Sequence, residues 1–314
     1  MTPQIIFGDI AGIPDKDLPD LAIALKDAGI TRLDTAARYG GAPHASEKRS
    51  GAAGLPKQFT IDSKVLWDSP QSGPHSAEKV AQSVSESLAS LGVEKVNVLY
   101  LHGPDDATPL AEQVRAIDAV YKQGKFNKFG VSNFDAAMLQ ECLDIATREN
   151  LVKPSVFQGQ FNLVCRAWGD EVFPILRSNN MHFNAYSPLA GGFLLGNFTT
   201  NGHSGGNRFS DESPSGALYK RWFDKPSLHE AVKKLRTISE ESGIAMADLS
   251  LRWLTYHSIL GEGDGIILGA SKISQVERNA RQIRDGPLPE DVAQRLNALK
   301  RADGIWSSEV QGLE

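Results

Sequence analysis

The segment FTIDSKVLWDSPQSGPHSAEKVAQSVSESLASLGVEKVNVLYLH, from Phe59 to His102, decides the fold. It opens and closes with short runs rich in β-branched and aromatic residues, FTIDSKV and VNVLYLH. Between them Val80, Val84, Leu88 and Leu91 recur at the spacing that puts apolar side chains on one face of a helix. Strand, helix and strand in that order make parallel neighbours.

The same alternation runs through most of the chain. Further strands are expected at IIFGD (from Ile5), RLDTA (from Arg32), KFGVS (from Lys128), VFQGQFN (from Val156), HFNAYSP (from His182) and GIILGAS (from Gly265). Helical faces fall between them: Leu18, Leu21, Leu25 and Ala28; Met138, Leu139 and Cys142; Leu228, Val232, Leu235 and Ile238; Val276, Ala280 and Ile283. Thr108-Pro109 is expected to open a helix as N-cap and first-turn proline, with Gly124 at its end, and Asp135 to cap the helix that carries Met138.

Eight strands alternating with helices predict an α/β fold, a (β/α)8 TIM barrel, as one domain over residues 1–314. An open doubly wound sheet would place a glycine-rich turn after the first strand, where the chain instead reads AGIPDKD. The cluster Gly261, Gly263 and Gly265 precedes a strand and reads as a loop. One stretch breaks the alternation, residues 196–222 after the seventh strand, rich in Gly, Ser, Thr and Asn. Its length and its place on the strand-exit side predict a lid or substrate loop.

Composition narrows the function. The net charge is −5 with no basic cluster, which argues against nucleic acid as a partner. Apolar runs are strand-length, too short for a membrane span, and the N-terminus lacks the pattern of a signal peptide. Two cysteines, Cys142 and Cys165, make no disulfide framework. A cytoplasmic protein with two packed thiols is the expectation.

Barrel enzymes carry their chemistry at the C-terminal ends of the strands. Here those ends offer Asp34 and Tyr39, Ser63-Lys64, His102, Ser132-Asn133, Gln158, Tyr186-Ser187 and Ser271-Lys272. Four of these fit one reaction. Carbonyl reduction needs a proton on oxygen, and tyrosine supplies it poorly at an ordinary pKa of about 10. A lysine ammonium at ~4 Å, with an effective dielectric of ~20, stabilises the phenolate by roughly 4 kcal/mol, or about three pKa units before burial is deducted. Lys64 is thus expected to draw Tyr39 towards neutrality, Asp34 to hold Lys64, and His102 to orient the carbonyl oxygen. Taken singly, a cap, a solvated charge or a packing residue accounts for each of them. No strand-end set of His and carboxylates completes a metal site around His102.

These residues resemble the aldo-keto reductases. LDTAARYG (Leu33 to Gly40), SK at Ser63-Lys64, LH at Leu101-His102, GVSNF (Gly130 to Phe134), FQGQFN (Phe157 to Asn162) and YSPLAGGFLLG (Tyr186 to Gly196) follow that family's order, and GASKISQVERN (Gly269 to Asn279) is similar to its adenosine-phosphate segment. SPLAGGFLLG followed by NRFSDES and YKRW is most similar to the aflatoxin aldehyde reductase branch, although TTNGHSGG replaces that branch's acidic and aromatic stretch and Arg278 stands where many relatives have Glu.

The resemblance implies Asp34, Tyr39, Lys64 and His102 as the catalytic four. It implies nicotinamide contacts from Ser132, Asn133, Gln158 and Tyr186, a pyrophosphate run along Ser187, Leu189 and Gly191, and adenosine contacts from Ser271, Lys272, Gln275 and Asn279. Cations and amides at Lys272, Gln275 and Arg278, with Glu277 turned away, point to NADP(H) over NAD(H). Arg208, Tyr219, Arg221 and Trp306 are candidates to meet the substrate, a small carbonyl compound. The branch's habits allow a homodimer. Some relatives of this fold act instead as cofactor-sensing subunits of membrane channels, the alternative to turnover. A barrel lyase using a Lys64 Schiff base is a further rival.

Overall fold

The computed structural model describes residues 2–201, 208–210, 213 and 216–302. Eight parallel strands close into a barrel in chain order: β1 Gln4–Phe7, β2 Arg32–Asp34, β3 Thr60–Lys64, β4 Val96–Leu101, β5 Phe126–Ser132, β6 Pro154–Gln160, β7 His182–Tyr186 and β8 Gly265–Leu268. Every strand expected from the sequence forms, and β5 starts two residues before the expected Lys128.

The barrel interior is packed with side chains. Asn184 on β7 donates to the Tyr100 hydroxyl on β4 at 2.8 Å, across the barrel. Gly130 on β5 is required by that ring, since a Cβ there would lie 2.3 Å from Tyr100 Cδ1. Arg32 and Asp62 pair in the layer beneath Asp34 and Lys64, with Arg32 Nε 2.6 Å from Asp62 Oδ2. On the outer face Phe157 and Phe183 stack at 5.6 Å, and Trp168 meets Phe157 edge-on.

The helices bury the faces that their spacing specified. Leu18, Leu21 and Leu25 are buried on Leu18–Asp27, Val80, Val84, Leu88 and Leu91 on Ala77–Leu91, and Leu228, Val232, Leu235 and Ile238 on Pro226–Ser242. Asp135 accepts from the Met138 N–H at 2.7 Å, as an N-cap should. The start of Leu110–Lys122 departs from expectation: Pro109, not Thr108, is the N-cap. Asp105 explains the shift, because its carboxylate accepts from the backbone of Ala107 and Thr108 and performs the cap's task upstream. Cys142 is buried beside Leu139 and Leu143, and burial pushes its thiol up to about 12. Cys165 is also buried, and its thiol is raised further still.

The described residues of the stretch after β7 are more structured than its composition suggests. Helices form at its two ends, Asn197–Asn201 and Gly216–Phe223. Phe198, Phe209 and Phe223 gather around Phe193, with Phe198 and Phe209 stacked at 4.6 Å. The Gly, Ser, Thr and Asn content hides this because the anchoring aromatics are spaced far apart in the sequence. Among the described residues, no helix is long and apolar enough to cross a membrane.

Candidate active site

Adjacent strand exits bring the four central residues together. Lys64, at the end of β3, is fully buried, and its ammonium donates to Asp34 Oδ2 at 2.6 Å and to the Thr35 carbonyl at 2.8 Å. Burial works against that charge, but Asp34 and then Tyr39 outweigh it, so the lysine pKa lies above its ordinary value. An ammonium so held is no amine nucleophile, which removes the basis for a Schiff-base reading.

Tyr39 follows β2 on a turn, and the Lys64 Nζ lies 5.0 Å from its ring centre. Here the structure corrects the electrostatic expectation. Burial raises the phenol pKa more than Lys64 lowers it, and Asp34 and Asp9 raise it further. The result lies above the ordinary value, so Tyr39 stays protonated at neutral pH.

His102, at the exit of β4, meets Tyr39 edge-on with ring centres 5.5 Å apart. Burial, then the positive charges of Lys64 and Arg38, hold its pKa well below the usual imidazole range. The ring is therefore neutral, with one N–H to give. Its Nδ1 is buried without a hydrogen-bond partner. Trp67 flanks the ring at 6.3 Å and is itself held by the Pro104 carbonyl at 2.8 Å.

The other strand ends surround this centre. Gln158 reaches across from β6, and its Nε2 donates to Asp34 Oδ1 at 2.8 Å. In this structure the amide nitrogen thus completes the shell of the Lys64–Asp34 pair. Ser132 is buried, and Asn133 adopts the left-handed conformation with φ 61°. Asn133 accepts from the Tyr186 hydroxyl at 2.9 Å and donates to the His102 carbonyl at 3.3 Å, tying β4, β5 and β7 together at the mouth.

After Tyr186 the chain turns through left-handed residues at Ser187, Ala190, Gly191 and Gly192, with Leu189 half-buried between them. The Tyr219 ring lies flush on this turn, since a Cβ on Gly191 would come within 2.2 Å of it. Arg208 donates to the Tyr219 hydroxyl at 2.7 Å. Arg208 and Tyr219 therefore meet each other above the turn, while Arg221 is exposed. Trp306 lies outside the described residues.

Past β8, the Ile273–Arg284 helix buries the Val276, Ala280 and Ile283 face expected from the sequence. Gln275 accepts from the backbone of Ser271 at 2.8 Å and Lys272 at 3.2 Å, which fixes the entry to that helix. Lys272 and Arg278 are exposed, and Asn279 is buried with its Oδ1 lacking a donor.

Sequence reasoning missed three groups. Asp9, just beyond β1, lies within electrostatic reach of Lys64 and Asp34. Asp62 and Arg32 form the ion pair beneath the site. Glu47 is fully buried against His44 Nδ1 (2.7 Å), Ser63 and Ser87 (3.0 Å), under the turn that carries Tyr39. Each belongs to a segment whose charge looked ordinary, and only closure of the barrel brings them inside.

Residues 11–301 match the Aldo/keto reductase family. The chain belongs to that family. It is 32% identical to an aldo-keto reductase of Pseudocercospora fijiensis, over 86% of this chain and 93% of the relative. It is 31% identical to the oxidoreductase sirO of Leptosphaeria maculans, over 96% and 88%. Aflatoxin B1 aldehyde reductase member 2 of Rattus norvegicus is 32% identical, over 87% and 77%. As an aldo-keto reductase, the protein is a carbonyl oxidoreductase on a closed eight-stranded barrel. Among its described residues, no group of three or more His, Cys, Asp or Glu is placed to hold a metal ion.

Proposed function

We propose that the protein reduces aldehyde or ketone carbonyls to alcohols with NADPH, and that Tyr39 delivers the proton. The observation that carries this is the convergence of Tyr39, His102 and the buried Lys64–Asp34 pair at one strand-exit mouth. When bound, the nicotinamide supplies a hydride to the carbonyl carbon. The neutral His102 donates its N–H to the carbonyl oxygen and fixes its direction. Tyr39, protonated at rest, gives its proton to that oxygen as negative charge develops there. The ammonium of Lys64 stabilises the phenolate left behind, and Asp34 and the Thr35 carbonyl keep it in place.

The residues present suit a nicotinamide dinucleotide. Asn279 has a buried acceptor without a donor, which suits an exocyclic amine at the adenosine end. Ser271 and Lys272 stand exposed at the start of the Ile273–Arg284 helix, whose backbone N–H groups and positive end favour a phosphate. Lys272 and Arg278 are the cations for a 2′-phosphate, with Gln275 holding their turn in shape. Ser132, Asn133 and Gln158 would hold the carboxamide, Tyr186 would lie against the ring, and Ser187, Leu189 and Gly191 would line the pyrophosphate. Residues 196–222 serve as the lid, with Arg208 and Tyr219 closing over Gly191 towards a small-molecule carbonyl substrate. The site of action is cytoplasmic.

The test is NADPH consumption across a panel of aldehydes, ketones and dialdehydes. Turnover should fall by at least a hundredfold in Tyr39→Phe, the scale of a lost general acid, with NADPH binding kept. Lys272→Glu should weaken NADPH and leave NADH unchanged. Cofactor binding without consumption on any carbonyl would turn the reading towards a sensor.

A further inference from the structure

Just after β1 the chain reads Gly8-Asp9-Ile10, one strand away from the exit of β2. The half-buried Asp9 side chain is fastened at both oxygens. Ser46 donates its hydroxyl to Oδ1, and the Ala11 N–H donates to Oδ2 at 3.2 Å. Ser46 stands in the first turn of the Ala45–Ala52 helix, and its own backbone N–H donates to the Tyr39 carbonyl at 3.1 Å. Asp9 and the Tyr39 turn are thus held by opposite ends of one residue. Arg49 on the same helix is committed elsewhere, to Asp15 at 2.5 Å and to the Ile10 and Ile13 carbonyls.

The charge of Asp9 is surplus to the ion pairs around it. Lys64 already has Asp34 at 2.6 Å, and Asp9 makes no ion pair of its own among the described residues. A second carboxylate beside one ammonium biases every proton nearby. The groups facing Tyr39 are Lys64 from β3, Asp34 from β2, His102 from the exit of β4, Tyr186 from β7 and Asp9 from the exit of β1. Those acting on Asp9 are Ser46, the Ala11 N–H, Lys64 and Asp34.

We propose that Asp9 is a positioning residue of the reaction centre, which brackets the Tyr39 turn through Ser46 and sets, by its negative charge, the pH at which Tyr39 gives up its proton. This rests on the reading of Tyr39 as proton donor. Its sign follows from the charge. An Asp9 carboxylate disfavours a phenolate nearby, so it keeps Tyr39 protonated to higher pH. Burial raises the Asp9 pKa, while the Ser46 hydroxyl and the Ala11 N–H, both donating to its oxygens, favour the carboxylate.

The experiment is the pH profile of kcat/KM for carbonyl reduction, with NADPH affinity followed separately by fluorescence. Asp9→Asn should move the alkaline limb down by about one pH unit, the scale of removing one nearby charge from a partly solvated site. Asp9→Glu should restore the limb. Ser46→Ala keeps the charge and loosens the bracket, so it should lower kcat without moving the limb. An alkaline limb unmoved in Asp9→Asn, or a uniform loss at all pH values, would overturn the proposal. Failure of the reductase reading is separable from this. If wild type turns over no carbonyl, the ultraviolet difference titration of Tyr39, taken against Tyr39→Phe, still decides. Asp9→Asn should lower that titration, and an unchanged one overturns the inference.

Discussion

Lys64 Nζ lies 2.6 Å from Asp34 Oδ2, and both groups are buried. The pair is worth little as a net source of stability, because burying two charges offsets most of their attraction. Its value lies in keeping a cation beside Tyr39. Breaking it is costly all the same. Asp34→Asn leaves an ammonium inside the barrel with the Thr35 carbonyl and no directly paired carboxylate, and should destabilise the fold by ~3–5 kcal/mol. Lys64→Met leaves the carboxylate with the Gln158 amide at 2.8 Å. The double variant Asp34→Asn, Lys64→Met should be more stable in urea than either single variant, and equally inactive. Simply additive losses would mean that the two side chains do not act as a pair.

His75 gives a pH dependence of stability. It is fully buried, its Nδ1 contacts Gln113 Oε1 at 3.1 Å, and burial lowers its pKa to about 4. An unfolded histidine titrates near the ordinary value of about 6.5. Between these values the unfolded chain binds the proton and the folded chain does not, so stability falls as pH drops from about 6.5 towards about 4. The contribution at stake is ~3 kcal/mol. Urea midpoints measured at several pH values should show this slope. His75→Asn, whose amide can still donate to Gln113, should flatten it. A slope unchanged in that variant would assign the acid sensitivity to other groups.

How much of this was legible in the sequence follows from the range of the interactions. Strands and helices were readable because the repeats at Val80, Val84, Leu88 and Leu91, and the apolar run from Val96 to Leu101, are set by residues a few positions apart. Asp34, Lys64 and His102 were readable because a barrel puts every strand end on one rim. Asp9 and Glu47 were not, since their partners Ser46 and Ser63 become neighbours only after closure. The direction of the Tyr39 shift was missed for the same reason. The Lys64 attraction is a pairwise effect, while burial and the charges of Asp34 and Asp9 come only with the folded surroundings.

Gly191 makes a last prediction about the cover of the proposed pyrophosphate turn. Its φ of 66° is the left-handed region, and a Cβ would sit 2.2 Å from Tyr219 Cε1. Gly191→Ala therefore meets two separate penalties. The backbone strain is intrinsic and should cost about 1 kcal/mol. The clash is relational, because it depends on a ring that Arg208 holds at 2.7 Å through its hydroxyl. Tyr219→Ala removes the ring and leaves the strain. In that background the cost of Gly191→Ala, read from thermal melts, should shrink to the backbone part alone. NADPH affinity separates the roles of the two residues. If Tyr219 covers a bound pyrophosphate, Tyr219→Ala should speed NADPH release while leaving the pH profile of turnover in place. An equal cost of Gly191→Ala in both backgrounds would show that the ring moves aside freely, and that Tyr219 is no fixed cover for the turn.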